Sequence, residues 1–144
     1  MNGERHPVRA DFPHFLAIPT RWDDCDAYGH VNNVVYYSYF DTAVTDHLIR
    51  EGGLSPADSP VIGVAVETRC QFRQELNFPD IVDAGIRVAH LGNSSVRYEI
   101  GLFRAGDEAP AAFGHFIHVW IDRATRKPKS VPNAVRRALQ PLCV

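Results

Sequence analysis

Hydrophobic positions along the chain follow two periods, and the change of period marks out the elements. The stretch VVYYSYFDTAVTDHLIRE, from Val34 to Glu51, follows Asn32 and Asn33, which can cap a helix, and precedes Gly52-Gly53, which can end one. Its first turns are apolar or aromatic nearly all round, and a helix of that kind must be surrounded by protein. Past the loop LSPADSP the period drops to two. Val64, Val66, Thr68, Cys70 and Phe72 alternate with Glu67, Arg69, Gln71 and Arg73, the pattern of a half-buried strand. A second strand carries Val82, Ala84, Ile86 and Val88 on one face, and a third sets Val96, Tyr98, Ile100 and Leu102 opposite Arg97, Glu99 and Phe103. The turn signal Gly92–Ser94 predicts that these two form an antiparallel hairpin. The last run, AAFGHFIHVWID, is apolar on both faces and is placed at the centre of the sheet, after a turn at Gly106-Asp107. Ahead of the helix, residues 12–24 read as an extended segment that Pro13 and Pro19 confine to an edge or an irregular strand. A short helix over about Asn133 to Leu139 closes the pattern. The prediction is an α+β fold, one long helix wrapped by a five-stranded antiparallel sheet. One sheet of that size cannot easily cover both ends of so apolar a helix, so an oligomer is expected.

Composition narrows the class. At 144 residues the chain is expected to be one domain, 1–144, with no repeat or linker to suggest a second. It is 45% hydrophobic and 22% charged, with no apolar run near the ~20 residues a membrane span needs, so membrane insertion is not expected. The opening MNGERHPVRADFPHF does not read as a secretory signal, and the expected location is cytoplasmic. Cys25, Cys70 and Cys143 are odd in number and widely spaced, against a disulfide framework or a zinc cage. The net charge of -2 gives no support for nucleic-acid binding. It hides a basic C-terminal stretch, Arg123, Arg126, Lys127, Lys129, Arg136 and Arg137, with no carboxylate side chain after residue 122. That stretch is either a solvated surface or a phosphate contact.

The densest chemistry is RWDDCDAYGHVNN, residues 21–33, immediately before the helix start. The first N–H groups of a helix lack intrahelical partners and carry partial positive charge, so they can polarise a carbonyl. A carboxylate a few residues upstream could attack that carbonyl or take a proton from water. If residues 20–26 stay extended, Asp24 and Asp26 share a face, and one of the two carboxyls holds a proton more readily than a free Asp. His30 could donate a hydrogen bond near neutral pH or simply pack. Asn32 and Asn33 divide between capping and function, and Tyr36 between core and acyl pocket. Cys25, flanked by acids, is a poor nucleophile. No calcium-loop spacing or His pair accompanies the three aspartates, and His115 and His118 point to opposite faces of a strand, so no metal or other cofactor is expected.

The segment DCDAYGHVNNVVYYSYFD, together with the strand pattern through VWIDRATRKPKSVP, resembles the hotdog-fold acyl-CoA thioesterases of the 4-hydroxybenzoyl-CoA thioesterase group. The resemblance covers most of the chain. It implies that Asp26, three residues before Gly29, is the catalytic carboxylate and that the polarising N–H lies near Asn33. It further implies a homodimer or a homotetramer with active sites between subunits, Ser95 near the pantetheine path, and basic contacts such as Arg123, Arg126 and Lys127 to the coenzyme A nucleotide. Gly92, Asn93 and Ser94 stand where the hydroxybenzoyl branch has basic residues, so those phosphate contacts do not carry over. HVNN looks more like fatty-acyl thioesterases, including those acting on acyl carrier protein, which favours an aliphatic acyl group on either carrier. The leading expectation is thioester hydrolysis by Asp26 and the helix N-terminus, with His30 or Asn32 positioning water or the acyl group. The alternatives are a hotdog hydratase or dehydratase of acyl thioesters, and a non-catalytic acyl-CoA-binding module.

Overall fold

A computed structural model describes residues 7–144; residues 1–6, the start of the segment that does not read as a secretory signal, lie outside the described part. The elements are β1 (His14–Pro19), α1 (Asn33–Arg50), β2 (Val61–Phe72), β3 (Ile81–Leu91), β4 (Ser95–Arg104), β5 (Ala112–Asp122) and α2 (Asn133–Leu139). Short 3-10 turns at Arg9–Asp11, Trp22–Asp24 and Gln140–Leu142 complete the chain. The strands form one antiparallel sheet in the order β1-β3-β4-β5-β2, and α1 lies along one face of it, as the resemblance implies.

The helix starts where its cap predicts. Asn32 keeps an extended backbone, and its side-chain oxygen accepts a hydrogen bond from the Val34 N–H (3.2 Å). At the other end Gly53 takes a left-handed backbone (φ 69°) that turns the chain back, so the Leu54 N–H reaches the Leu48 carbonyl at 3.0 Å. From α1, Tyr36, Tyr39, Phe40, Ala43, Val44 and Leu48 meet the sheet's alternate residues Val82, Ala84, Ile86, Val96, Tyr98, Ile100, Leu102 and Trp120 in one buried cluster. Each fully buried large apolar side chain contributes about 1.5–3 kcal/mol, and this face holds the helix on the sheet.

Three expectations are corrected by the structure. β4 is the central strand; β5 lies between β4 and β2, and this interior place accounts for its two apolar faces. The first segment is shorter than its composition suggests, because Pro19 ends β1 and residues 22–24 form a 3-10 turn. The alternation along β2 is broken by a bulge at Val66, between the pairs Ala65–His118 and Glu67–Ile117. With two residues of β2 opposing one step of β5, parity changes at that point: Val64 pairs with Val119 on the outer face, whereas Thr68, Cys70 and Phe72 face the helix side.

Within one copy the helix is not enclosed. Val34 is 63% exposed, and Ser38, Asp41 and Thr42 are exposed beside it. β2 is an edge strand, and Ala65, Val66, Glu67, Thr68 and Arg69 form an exposed run along it. No helix among the described residues is long and apolar enough to cross a membrane.

Candidate active site

The loop before α1 is anchored from within by Asp24. Its carboxylate, only 2% exposed, accepts hydrogen bonds from the Arg21 N–H (2.8 Å), the Arg21 guanidinium (2.9 and 3.0 Å) and the Tyr39 hydroxyl (2.8 Å). The Asp24 carbonyl accepts from the Asn32 N–H (2.8 Å), tying the loop to the helix start. Burial alone would raise the Asp24 carboxyl, but the bonds from Arg21 and Tyr39 outweigh it and hold the group below its ordinary range. Asp24 is therefore not a carboxyl that holds its proton more readily than a free Asp. The 3-10 turn rotates Asp24 inward, where Arg21 and Tyr39 stabilise its charge.

Asp26 sits at the head of a tight turn. Its N–H donates to the His30 carbonyl (2.9 Å), and its carbonyl accepts from the Gly29 N–H (3.0 Å), with Gly29 in the left-handed region at φ 83°. Asp26 Oδ1 accepts from the N–H groups of Tyr28 (2.9 Å) and His30 (3.4 Å), while Oδ2 has no partner among the described residues. The turn thus spends one carboxylate oxygen on its own geometry and leaves the other available. At the helix start, the Val34 N–H goes to the Asn32 side chain and the Val35 N–H to the Asn32 carbonyl (2.9 Å). The Asn33 N–H meets no acceptor among the described residues, so an orphan donor of the helix terminus is left at Asn33.

His30 is gripped from across the cleft by the segment following β2. Its Nδ1 lies 2.8 Å from Asn77 Oδ1 and its Nε2 3.3 Å from Glu75 Oε1. Arg104 buttresses that segment: its guanidinium donates to Asp80 Oδ2 (3.0 Å) and to the Glu75 carbonyl, and Asp80 in turn accepts from the Asn77 N–H (3.0 Å). The Asn77 contact at Nδ1 orients the imidazole, and the Glu75 carboxylate stands beside Nε2.

These groups converge on a cleft of about 370 Å³ lined by Asp26, His30, Val31, Asn33, Tyr36, Phe72 and residues 73–75. Tyr36 forms its inner wall. It is 3% exposed, its ring packs edge-on against Phe72 at 5.0 Å, and its hydroxyl accepts from the Leu76 N–H at 3.3 Å; burial pushes that hydroxyl's pKa up. Asp26, His30, Asn33 and Tyr36 thus line one cavity, with Asn32 serving as the cap behind it. Phe72, Glu75 and Asn77 are not singled out by the sequence pattern. The available signal is the polar run RQELN immediately after the period-two stretch, but nothing local links it to His30.

The remaining candidates lie elsewhere. Ser95 begins β4, whose far end is Arg104 beside Glu75; at ~3.3 Å per residue the separation is roughly 30 Å. Arg123 donates its guanidinium to the carbonyls of Ser59 (2.8 Å) and Pro56, bracing the loop ahead of β2. Arg126 and Lys127 are exposed on the turn after β5, the end of that strand opposite Ala112, which lies next to the cleft segment through the Arg73 N–H and the Ala111 carbonyl (2.8 Å). A single copy therefore presents its cleft and its basic turn at opposite ends of the sheet.

The cleft's chemistry is a carboxylate oxygen without a donor, a helix-terminal N–H without an acceptor, an oriented imidazole and an aromatic wall. Among the described residues no group of three or more His, Cys, Asp or Glu could hold a metal ion. The arrangement suits attack on a carbonyl whose oxygen gains charge, where one such N–H donor contributes about 2.7–4 kcal/mol to transition-state stabilisation.

Comparison with known proteins bears on the same region. A model of the thioesterase-like superfamily matches residues 20–139. The chain is similar to the solved structure of the PA5185 protein from Pseudomonas aeruginosa strain PAO1, with 45% identity, a TM-score of 0.94, and coverage of 96% of this chain and 97% of that one. It is similar at 28% identity to the PA2801 protein of Pseudomonas aeruginosa, described as a candidate thioesterase, with a TM-score of 0.83 and coverage of 88% and 98%. A thioesterase from Thermus thermophilus, solved in complex with coenzyme A and zinc, shares 29% identity and a TM-score of 0.73 over 90% of this chain and 98% of that one. No curated protein matches the chain.

Proposed function

The chain belongs to the thioesterase-like superfamily and is a thioester hydrolase of the hotdog fold, and from that premise we propose that it cleaves acyl-CoA thioesters to free acid and coenzyme A in the cleft headed by Asp26. One observation carries the site: Asp26, whose Oδ2 has no partner among the described residues, and Asn33, whose N–H has no acceptor among them, line the same cavity. In this reading the thioester carbonyl oxygen accepts the Asn33 N–H. Asp26 Oδ2 then either takes a proton from the attacking water or attacks the carbonyl carbon itself. In the first route the adduct collapses by breaking the C–S bond, which gives the free acid directly, and the proton held by Asp26 passes to the departing thiolate. In the second, C–S cleavage leaves an Asp26 mixed anhydride, which water hydrolyses to the free acid and the regenerated carboxylate while the water's remaining proton goes to the thiolate. His30, held by Asn77 and Glu75, positions the water or the acyl group, and Asn32 keeps the helix terminus in register. The coenzyme A complex of the Thermus thermophilus neighbour supports that carrier.

The test is release of free thiol from a panel of aliphatic and aryl acyl-CoAs. Turnover of at least one class is expected, and a panel that binds without releasing thiol would remove coenzyme A esters as substrates and bring acyl carrier protein esters or a binding role to the front.

We also propose that the working unit is a dimer joined along β2. That strand has an open edge, an exposed apolar Val66, and beside it the uncovered part of α1. Antiparallel self-pairing about a dyad sets the Phe72 end of one β2 beside the Val61 end of the other. It thereby brings the second copy's Arg123, Arg126 and Lys127, which follow β5 next to that end, toward the cleft that lacks them. Sedimentation equilibrium is expected to return at least twice the 16.1 kDa chain mass; a 16.1 kDa species with full activity would refute the composite site.

A further inference from the structure

Resting on the thioesterase reading, we propose that the ring pair Tyr36–Phe72 sets the depth of the acyl site and restricts the enzyme to short acyl chains. Tyr36 lies three residues beyond Asn33 in α1, a rise of about 4.5 Å, so a chain entering from the polarised carbonyl meets its ring within one helical turn. The ring cannot easily give way. It is buried, packed edge-on against Phe72 (5.0 Å) and tilted against Tyr39 (6.4 Å), and pinned through its hydroxyl to the Leu76 N–H. Tyr37 closes the other side of Phe72 at 6.5 Å and packs on Phe40 at 6.2 Å, so aromatic rings span the seam between α1 and β2.

A separate cavity of about 260 Å³ lies farther along α1 and β2, lined by Asp41 and Thr45 of α1, Ala65 of β2, and Phe116 and His118 of β5. Phe72 is the part of the wall that can be removed without opening the core, because it is 47% exposed at the last position of an edge strand. Tyr36, in contrast, belongs to the buried cluster.

The experiment measures binding of S-alkyl-CoA thioethers of increasing chain length, which cannot be hydrolysed, to the full chain and to Phe72→Ala and Phe72→Leu. For the wild type, affinity should rise about fourfold per added methylene, the equivalent of ~0.8 kcal/mol, up to about a butyl chain, and then stay flat. In Phe72→Ala the rise should continue for several further carbons, with Phe72→Leu between the two, and an unchanged far-UV circular dichroism spectrum reports that both variants are folded. A break at the same chain length in Phe72→Ala, or no break in the wild type, would overturn the assignment. Acyl-CoA hydrolysis followed in parallel separates the two claims: a wild type that shows the break yet cleaves no acyl-CoA loses the hydrolase mechanism and keeps the wall.

Discussion

Replacing Asp26 by Asn is expected to reduce thiol release from the best acyl-CoA by about 10³-fold, within the range general-base groups contribute, while substrate binding persists. The substitution keeps the side chain's volume and an oxygen to accept from Tyr28 and His30, so the turn that carries Gly29 survives. What disappears is the unpartnered Oδ2, replaced by an amide nitrogen that can neither take a proton nor attack a carbonyl. Single-turnover measurement on a saturated enzyme reads the chemical step apart from binding. A loss smaller than about tenfold, with binding intact, would take the central role from Asp26, since a base or nucleophile contributes more than that. A comparable loss in Asp24→Asn would not bear on the same question. Asp24 binds Arg21 and Tyr39 and faces inward, so its removal loosens the loop as a whole.

Acid should weaken the fold through a residue outside the cleft. His118 is 5% exposed on the helix-facing side of β5, 3.2 Å from the Tyr98 hydroxyl and flanked by the rings of Phe116 and Trp120. Burial alone pushes its pKa down from 6.5 to about 4. The folded chain therefore resists protonation that the unfolded chain accepts. The His118 contribution is fully present above pH 6.5 and is lost as pH falls toward 4, by about 3 kcal/mol in total, since each pH unit between those two values is worth about 1.4 kcal/mol. His14, also lowered by burial and by the neighbouring His47, adds to the loss in the same direction. Urea unfolding between about pH 7 and pH 4.5 should show a shallower pH slope in His118→Gln, which keeps a polar partner for Tyr98 without a titrating ring. Parallel slopes in the two proteins would place the acid sensitivity elsewhere.

Much of this architecture is legible in the sequence because it rests on local rules. The Asn32 cap, the Gly53 stop, the β3–β4 hairpin and the span of α2 each depend on residues within a few positions of one another. The cleft is half legible for the same reason. Asp26, His30, Asn33 and Tyr36 lie within eleven residues across a turn and a helix start, so one local geometry brings them together. The opposite wall is hidden. Glu75 and Asn77 reach His30 only because β2 returns along α1 and Arg104 fixes the segment after it, contacts spanning 45, 47 and 29 residues. The inward turn of Asp24 escapes period-two reasoning, which assumes an extended chain, whereas the Arg21–Asp24 bonds favour a 3-10 turn.

The extra residue in β2 makes the strand behave like a text with a shifted reading frame. Upstream of Val66 the odd-numbered residues Gly63 and Ala65 pair with the inward Trp120 and His118; downstream, the even-numbered Thr68, Cys70 and Phe72 pair with the inward Phe116, Gly114 and Ala112. The ladder passes over position 66, so deleting it would leave every present pair in place, whereas pairing it regularly would shift one half of the strand by a residue. A single frame through the whole strand would turn Ile62 and Val64 inward together with Phe72, while Gly63 and Ala65 moved to the surface. The site's aromatic wall and the small residues upstream therefore share the helix-facing side only because the strand steps out of pairing at a point about 20 Å away.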